Sequence, residues 1–469
     1  MSIGQIEHIS PHELRANPRN ARTHSKKQIQ QIADSIRIFG WTNPILIDAQ
    51  TNVIVGHARL SAGKLLKLET VPCIRLESMT PDQKRAYAIA DNKLALNAGW
   101  DEEILVQEFG HLLSVDLDFD IGVIGFGIPE IDSLIAGQGA QEAGDPRDDQ
   151  LPDIDAGPPV SRLGDLWELD QHRVINASAL EVATYSALLG EEKAEMVFTD
   201  PPYNVRIAGN VGGLGAIQHR EFQMGAGEMS SEQFTGFLTN SFQNIAAHTV
   251  DGAIAFICMD WRHMREILAA GHSIFSELKN LIVWVKDNGG MGTFYRSRQE
   301  LIFAFKVGSA AHINNFELGQ HGRYRTNVWE YKGMNSRKPG RMDELALHPT
   351  VKPVEMIADA IKDVSRRNGI VLDVFGGSGS TLIAAHKTGR RAYLCELDPI
   401  YVDRTIRRWQ AYAHDDAVLA STGQRFGEVA RIRGSRPKEG SGSTDDGKTA
   451  AGKVEASTAR AAGASRGGR

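Results

Sequence analysis

The chain has 469 residues, too many for one ordinary core, and its 42% hydrophobic and 23% charged residues are typical of a globular protein with two domains. No apolar run is long enough to cross a bilayer, and the first residues lack the apolar segment of a signal peptide, so we expect no membrane partner. Cys73, Cys258 and Cys395 lie far apart in apolar, strand-like segments. They are predicted to be core residues in a reducing cytoplasm, not a disulfide framework or a metal site.

The net charge of −6 is distributed unevenly along the chain. Residues 136–161 contain six acidic side chains and one arginine among glycines and prolines, which predicts a disordered acidic linker. Residues 318–342 contain six basic side chains and one acid, and residues 431–469 contain nine basic side chains and four acids. Both basic segments can follow a phosphate backbone, although the second can equally be a solubilising extension.

These changes in composition predict four consecutive parts of the chain. An N-terminal body (1–133) is followed by the acidic linker (134–161), a C-terminal body (162–432) and a disordered basic tail (433–469). Because the linker is acidic and rich in proline and glycine, we expect the two bodies to be loosely coupled.

The N-terminal body begins with a predicted helix over KKQIQQIADSIRIF that ends at Gly40. PILID and NVIV are predicted strands, and the second runs into Gly56-His57-Ala58-Arg59 and a further helix, a junction that is a generic anion site. Together with NPRNARTHS and DNKLALNAGWDEEIL, these segments resemble a ParB-like N-terminal domain over about residues 5–125. The resemblance implies a smaller α+β domain that is associated with DNA. Partition proteins of that family have Gly-Glu-Arg-Arg at this junction, whereas this chain has Gly56-His57-Ala58-Arg59, so nucleotide binding is left open.

In the C-terminal body, predicted strands alternate with predicted helices. MVFT, GAIAFICM, LIVWVKD, ELIFAFKVG, GIVLDVF and AYLCE are apolar segments of strand length, and several are separated by segments of helical period. This alternation predicts an α/β domain with a doubly wound, mostly parallel sheet, whose ligands lie at the carboxyl ends of the strands.

One of these strands enters a glycine loop. The apolar segment from Ile370 to Phe375 is followed by Gly376-Gly377-Ser378-Gly379, and Ser380 or Thr381 can begin the next helix. Glycines let the backbone approach a ligand without Cβ clashes. Because the following strand ends at Glu396, which can accept hydrogen bonds from both hydroxyls of a ribose, the segment predicts a nucleoside site.

The strand MVFT ends in an acid, two prolines and an aromatic ring, Asp200-Pro201-Pro202-Tyr203. A carboxylate and the Pro201 carbonyl can accept both hydrogens of an exocyclic amine, which frees a nitrogen lone pair that is otherwise delocalised into the base. The prolines offer no competing N–H group, and Tyr203 offers a face on which an extruded base can stack. An ordinary turn is the alternative for this segment taken alone.

DPPY, FGGSGS and LHPTVKP together resemble the DNA amino-methyltransferases that use S-adenosyl-L-methionine, over about residues 162–430. Since the DPPY motif precedes the glycine loop, the order is that of the β-type enzymes in this family. The resemblance implies a Rossmann-like methyltransferase fold and a catalytic motif formed by Asp200, Pro201, Pro202 and Tyr203. It implies that the cofactor is held by His348, Thr350, Lys352, Pro353, Asp373, Phe375, Gly376, Gly377, Gly379, Ser380, Thr381 and Glu396.

The same resemblance places target recognition between the last strand of the catalytic half and the HPTVKP motif, at about residues 306–347. The predicted contacts to double-stranded DNA there are Arg323, Arg325, Lys332, Arg337, Lys338 and Arg341. The glycine-rich stretch from Val205 to Met229 is expected to be a mobile lid or a DNA-contacting loop, with a passive disordered loop as the alternative. A homodimer and a partner restriction enzyme are left open.

Three other functions compete with adenine methylation. Cytosine N4 offers the same amine chemistry, but the resembling cytosine enzymes often carry serine at the position of Asp200, so adenine N6 is favoured. A ParB-like DNA-binding or partition protein with a non-catalytic second domain would not require an intact DPPY motif. An NAD dehydrogenase would share the glycine loop and the acid, but it has no use for DPPY.

Overall fold

The computed structural model describes most of the chain, over residues 5–115, 117–139, 147–148, 150–152, 158–205, 227–287, 289, 295–316, 325–333 and 351–434. The basic tail beyond Gly434, most of the predicted lid and the HPT part of HPTVKP lie outside these residues. In the described part of the chain no helix is long and apolar enough to cross a membrane.

The N-terminal body contains a four-stranded sheet, whose core includes Leu60 from a helix. The first helix begins at the Ser25 cap, whose side chain accepts a hydrogen bond from the Gln28 N–H, and it ends at Gly40, where φ is 78°. The strand order is β1-β4-β2-β3. The elements are β1 (Ile6–Ile9), α1 (Lys26–Phe39), β2 (Ile45–Ile47), β3 (Val53–Val55), α2 (His57–Leu65) and β4 (Val71–Arg75).

Three further helices follow, α3 (Pro81–Ala95), α4 (Glu102–Ser114) and α5 (Ile128–Gly139). The last two enclose a small separate core around Phe109 and Ile131. Helix α5 continues to Gly139, beyond the boundary expected at residue 133.

The C-terminal body is built on an eleven-stranded sheet in the order β11-β9-β10-β8-β7-β12-β13-β6-β5-β14-β15. Its elements are β5 (Leu166–Leu169), β6 (His172–Asn176), α6 (Val182–Leu189), β7 (Ala194–Thr199), α7 (Ser231–Ala247), β8 (Thr249–Met259), α8 (Met264–Ile274), β9 (Glu277–Val285), β10 (Gln299–Lys306), β11 (Val328–Glu330), α9 (Val354–Val364), β12 (Ile370–Asp373), α10 (Ser380–Thr388), β13 (Arg391–Glu396), α11 (Pro399–Ala413), β14 (Val418–Leu419), β15 (Gln424–Arg425) and α12 (Phe426–Gly434).

The central strands β6, β13, β12, β7 and β8 are parallel, whereas β10 is antiparallel to both of its neighbours. From β12 the chain continues to β13 on one side, and from β7 it continues to β8 on the other side. The carboxyl ends of β12 and β7 therefore flank a topological switch point, where open α/β sheets bind their ligands. The predicted doubly wound, mostly parallel sheet is confirmed.

The central strands are covered on both faces, as the apolar run of MVFT predicts. Met196 and Phe198 pack in one core with Trp409, whereas Val197 packs in the other core with Phe242. Alternate side chains of β7 thus enter opposite layers, which is the pattern of a strand buried on both sides. Cys73, Cys258 and Cys395 are buried and unpaired, as expected.

Parts of the segment that is predicted to be a disordered linker pack closely on the C-terminal body. The Asp403 carboxylate accepts hydrogen bonds from the N–H groups of Val160 and Ser161, at 2.6 and 2.9 Å. Asp148 is 4% exposed, and its carbonyl accepts a hydrogen bond from Arg408 at 2.6 Å. These segments are held because their polar groups have buried partners, which composition alone does not reveal.

Candidate active site

Asp200 follows the last residue of β7 and is held from two sides. Its Oδ1 accepts a hydrogen bond from the Tyr203 hydroxyl at 2.6 Å, and its Oδ2 lies 2.5 Å from the Lys352 ammonium. The adjacent Asn204 has a φ of 53°, and its side chain bonds the backbone of Gly227 and Met229. These bonds close the base of the glycine-rich loop next to Tyr203.

Lys352 belongs to a four-charge cluster that spans three elements. Its Nζ lies 3.2 Å from Glu300 Oε2 and 3.2 Å from the Tyr203 hydroxyl. Glu300 in turn pairs through Oε1 with Lys286, whose ammonium stands 4.6 Å from the centre of the Trp284 ring. Two carboxylates and two ammonium groups therefore alternate across the mouth of the sheet and balance each other.

Burial and pairing act on these charges in opposite directions. Burial raises the pKa of Asp200, and the neighbouring Lys352 opposes that shift. Burial would also raise the pKa of Glu300, but Lys352 and Lys286 lower it to about 2. Burial would lower the pKa of Lys352, but Asp200 and Glu300 raise it. Pairing therefore favours the charged forms of Glu300 and Lys352, whereas burial of Asp200 disfavours its charged form.

The glycine loop is joined directly to the strand that carries Asp200. Asp373, at the end of β12, accepts hydrogen bonds from the hydroxyls of Thr199 and Thr381 at 2.8 and 2.7 Å. It also accepts one from the Phe375 N–H at 3.1 Å, which shapes the first turn of the loop. Burial raises the pKa of Asp373 to about 6, although these hydrogen bonds oppose the shift. The Thr199–Asp373 bond fixes the two motifs to each other across adjacent strands.

Glu396 occupies the corresponding position at the end of β13. Its two oxygens accept hydrogen bonds from the N–H groups of Gly377 and Asp398, both at 2.8 Å. Burial raises the pKa of Glu396 to about 7, although the two backbone N–H groups favour the charged form. The loop adopts this geometry because Gly377 and Gly379 have φ values of 49° and 77°, which side chains disfavour.

A cavity of about 190 Å³ lies over this switch point. One side is lined by residues 373–378, Glu396 and Tyr401, and the other by residues 200–203 and Lys352. Asp200 and Glu396 follow strands two places apart, so roughly 10 Å separates those strand ends. The cavity therefore presents one carboxylate, Glu396, on one side and another, Asp200, on the other side.

The structure brings together most of the predicted site residues that it describes. The catalytic motif and the predicted cofactor residues Lys352, Asp373, Phe375, Gly376, Gly377, Ser380, Thr381 and Glu396 all line the cavity. Gly379 lies behind it as the cap of α10, and Pro353 is the cap of α9. His348 and Thr350 lie outside the described residues.

Arg325, predicted as a DNA contact, is a packing residue. Its guanidinium forms ion pairs with Asp359 and Asp363 of α9 at 3.3 and 3.2 Å, and it bonds the Tyr331 hydroxyl at 2.8 Å. Two carboxylates of α9 therefore already compensate its charge, and its contact with DNA stays a prediction. Lys332 is exposed, whereas Arg323, Arg337, Lys338 and Arg341 lie outside the described residues.

Sequence reasoning missed Glu300 and Lys286. A signal exists, since Glu300 is an acid next to the apolar centre of a strand, and a carboxylate there needs a partner on burial. The sequence cannot say which lysine supplies it.

The fold and the cavity define a doubly wound α/β protein. The glycine loop and Glu396 lie on one side of its switch point, and Asp200, paired with Lys352, lies on the other side. Residues 194–407 match the DNA methylase family of the N6/N4 type, so this part of the chain is a DNA methylase domain. Residues 1–93 match the ParB N-terminal domain, and residues 103–163 match the ParB-methyltransferase HTH domain. The resemblance inferred from DPPY and the glycine loop is confirmed.

Individual relatives match either body. The ParB-like nuclease domain-containing protein YnaK of Escherichia coli is 48% identical over 73 residues, 16% of this chain and 84% of that protein. The DNA adenine methyltransferase YhdJ of Escherichia coli is 26% identical over 255 residues, 48% of this chain and 79% of that protein. Among solved structures, the cytosine-N4-specific PvuII DNA methyltransferase aligns with a TM-score of 0.40 and 12% identity, over 60% of this chain and 95% of that one.

Proposed function

We propose that this protein is a site-specific DNA methyltransferase that transfers a methyl group from S-adenosyl-L-methionine to N6 of adenine in double-stranded DNA. The observation that carries the proposal is the single cavity with Glu396 and the glycine loop on one side and Asp200 on the other. The match of residues 194–407 to the DNA methylase family supports the reaction class.

The residues on the glycine-loop side fit the nucleoside part of adenosylmethionine. Glu396 is only half-buried and offers lone pairs beyond those used by Gly377 and Asp398, so it can accept bonds from ribose hydroxyls. A Cβ on Gly377 would meet only the Phe375 carbonyl, at 3.8 Å, so this glycine leaves open space for a ligand. The bound cofactor would supply an electrophilic methyl group to the other half of the cavity.

On the acceptor side, Asp200 and the Pro201 carbonyl would receive the two hydrogens of the adenine amine. Each carboxylate oxygen has a second lone pair, so the bonds from Tyr203 and Lys352 leave Asp200 able to accept one more. Methyl transfer would leave the amine with a positive charge and a surplus proton, and the Asp200 carboxylate would accept that proton.

DNA would approach the carboxyl edge of the sheet, because the Asp200 carboxylate lines the cavity there. An adenine in a duplex must leave the stack to reach Asp200, and Tyr203 would support its face. Lys332 is an exposed cation next to β11, which ends at this edge. The ParB N-terminal and HTH domains would add DNA contacts outside the catalytic cavity.

The base and the reaction are tested together. Purified protein, adenosylmethionine and duplex DNA are expected to yield N6-methyladenine, because Asp200 offers a charged acceptor where the resembling cytosine enzymes often carry serine. Nucleoside analysis of the digested product measures this, and methylation-sensitive long-read sequencing reports the recognised site. N4-methylcytosine as the only product would contradict the base assignment, and unmodified DNA would contradict the proposed reaction.

Cofactor affinity is expected to increase with pH through neutrality. Since the pKa of Glu396 is raised to about 7, the carboxylate that accepts ribose hydroxyls is present above that pH and protonated below it. Adenosylmethionine binding should weaken by about 10-fold from pH 8 to pH 6. The same raised pKa stabilises the unliganded fold below its ordinary value of 4.5, and this contribution is lost as the pH rises through about 7.

Isothermal titration over pH 6–8 checks this expectation, with Glu396→Gln as the comparison. The variant should bind weakly at every pH because it cannot become an anion. Equal pH dependence in both proteins would show that another group controls binding.

A further inference from the structure

The cluster next to Asp200 contains an acid that the proposed reaction does not yet use. Glu300 is at the amino end of β10. Because β10 is antiparallel to β8, this end lies at the carboxyl edge of the sheet, where Asp200 follows β7. Its side chain is 17% exposed, and that of Lys352 is 5% exposed. A buried ammonium and a buried carboxylate at this edge require compensating partners.

The contacts show what each charge is paired with. Lys352 is shared between Asp200 Oδ2 at 2.5 Å and Glu300 Oε2 at 3.2 Å. The other oxygen of Glu300 is held by Lys286, so Glu300 cannot turn away without breaking that ion pair. The Tyr203 hydroxyl lies 3.3 Å from the same Glu300 oxygen that faces Lys352.

We propose that Glu300 is a positioning residue of the methyl-transfer site, which, anchored by Lys286, holds the Lys352 ammonium between two carboxylates and so orients Asp200 and Tyr203 before a base enters. The inference rests on the proposed function and assigns a role to a residue outside DPPY and the glycine loop.

The physical reason lies in how Lys352 divides its charge. With Glu300 present, two ammonium groups and two carboxylates balance, and only part of the attraction of Lys352 falls on Asp200. Without the Glu300 charge, Lys352 would pair with Asp200 alone and the cluster would carry one surplus positive charge. Asp200 would then accept a hydrogen bond from an incoming amine less readily. The glycine-loop side, where Glu396 lies, would be unaffected.

The test is Glu300→Gln, which keeps the shape of the side chain and removes its charge. Single-turnover methyl transfer should fall by roughly 10- to 100-fold, whereas adenosylmethionine affinity should stay within about 2-fold of the wild type. The matched control is Glu277→Gln on β9, an exposed glutamate paired with Lys279 at 3.1 Å, and it should transfer at the wild-type rate.

A double-variant comparison separates positioning from a general loss of stability. Because Glu300 acts through Lys352, the double variant Glu300→Gln/Lys352→Gln should transfer the methyl group no more than about 2-fold more slowly than Lys352→Gln alone. Lys286→Gln, which releases Glu300 from the opposite side, should reproduce part of the loss. If Glu300→Gln fails to bind the cofactor, Lys286→Gln tests the positioning role of Glu300 in its place.

Wild-type rates in Glu300→Gln, or fully multiplicative losses with Lys352→Gln, would overturn the positioning role while leaving the proposed function intact. Absence of methyl transfer to DNA by the wild-type protein would overturn both.

Discussion

Asp200→Ala is expected to reduce methyl transfer by about 10³-fold, because the adenine amine loses the only charged acceptor of the DPPY motif as its nitrogen becomes cationic. Adenosylmethionine binding should persist, since Glu396 and the glycine loop keep their hydrogen bonds. The fold should also persist, because Lys352 retains Glu300 as a partner. The effect therefore belongs to the chemical step.

Single-turnover transfer to duplex DNA and calorimetric cofactor titration measure the two quantities separately. Asp415→Ala changes an exposed carboxylate at the end of α11 and serves as the control. Near wild-type transfer by Asp200→Ala under saturating cofactor would remove Asp200 from the mechanism. Loss of cofactor binding in that variant would show that Asp200 supports cofactor binding instead of the chemical step.

Asp132→Ala is expected to lower the free energy of unfolding by about 3–5 kcal/mol, because it leaves a buried arginine without its counter-charge. Asp132 is 5% exposed and lies on α5, and its carboxylate pairs with Arg390 at 3.0 Å and with Arg367 at 2.7 Å. Arg390 is fully buried, and burial lowers its pKa while Asp132 opposes that shift. The helix of the N-terminal half is thus tied to the C-terminal body by a buried charge triad.

Chemical unfolding of the full-length protein measures this loss. Asp82→Ala breaks an exposed ion pair with Arg85, at 3.7 Å, and should change stability by less than about 1 kcal/mol. If Asp132→Ala matched Asp82→Ala, the triad would contribute nothing to the fold. For the same reason a shortened protein that starts at Pro159 should be less stable than the intact protein.

Much of the site could be predicted from the sequence because its signals are local. The apolar run before Asp200 and the run before Gly376 each specify a strand. The prolines and glycines that follow end these strands and so place the functional groups at their carboxyl ends. Strand–helix alternation then implies a parallel sheet, in which carboxyl ends share an edge. That reasoning correctly brought Asp200, Asp373 and Glu396 to one cavity.

The tertiary structure alone decided which charges meet. Lys352 lies 152 positions from Asp200 in the chain, and the motif assigned it to the cofactor, yet its ammonium contacts Asp200. The sequence places Arg325 in a basic segment, and only the structure shows that two carboxylates of α9 pair with it. The acidic linker was expected to be free, but buried partners hold parts of it.

The physical reason for this division is the range of the interactions. Strand and helix periodicity, turns and glycine loops depend on neighbouring residues, so the order of residues determined the fold class, the family and the ends of the key strands. Ion pairs such as Lys352–Glu300 and Arg390–Asp132 depend on distance and burial, which exist only once distant segments have packed. The sequence therefore determined which groups the protein carries to its switch point, and the tertiary structure decided which of them are paired.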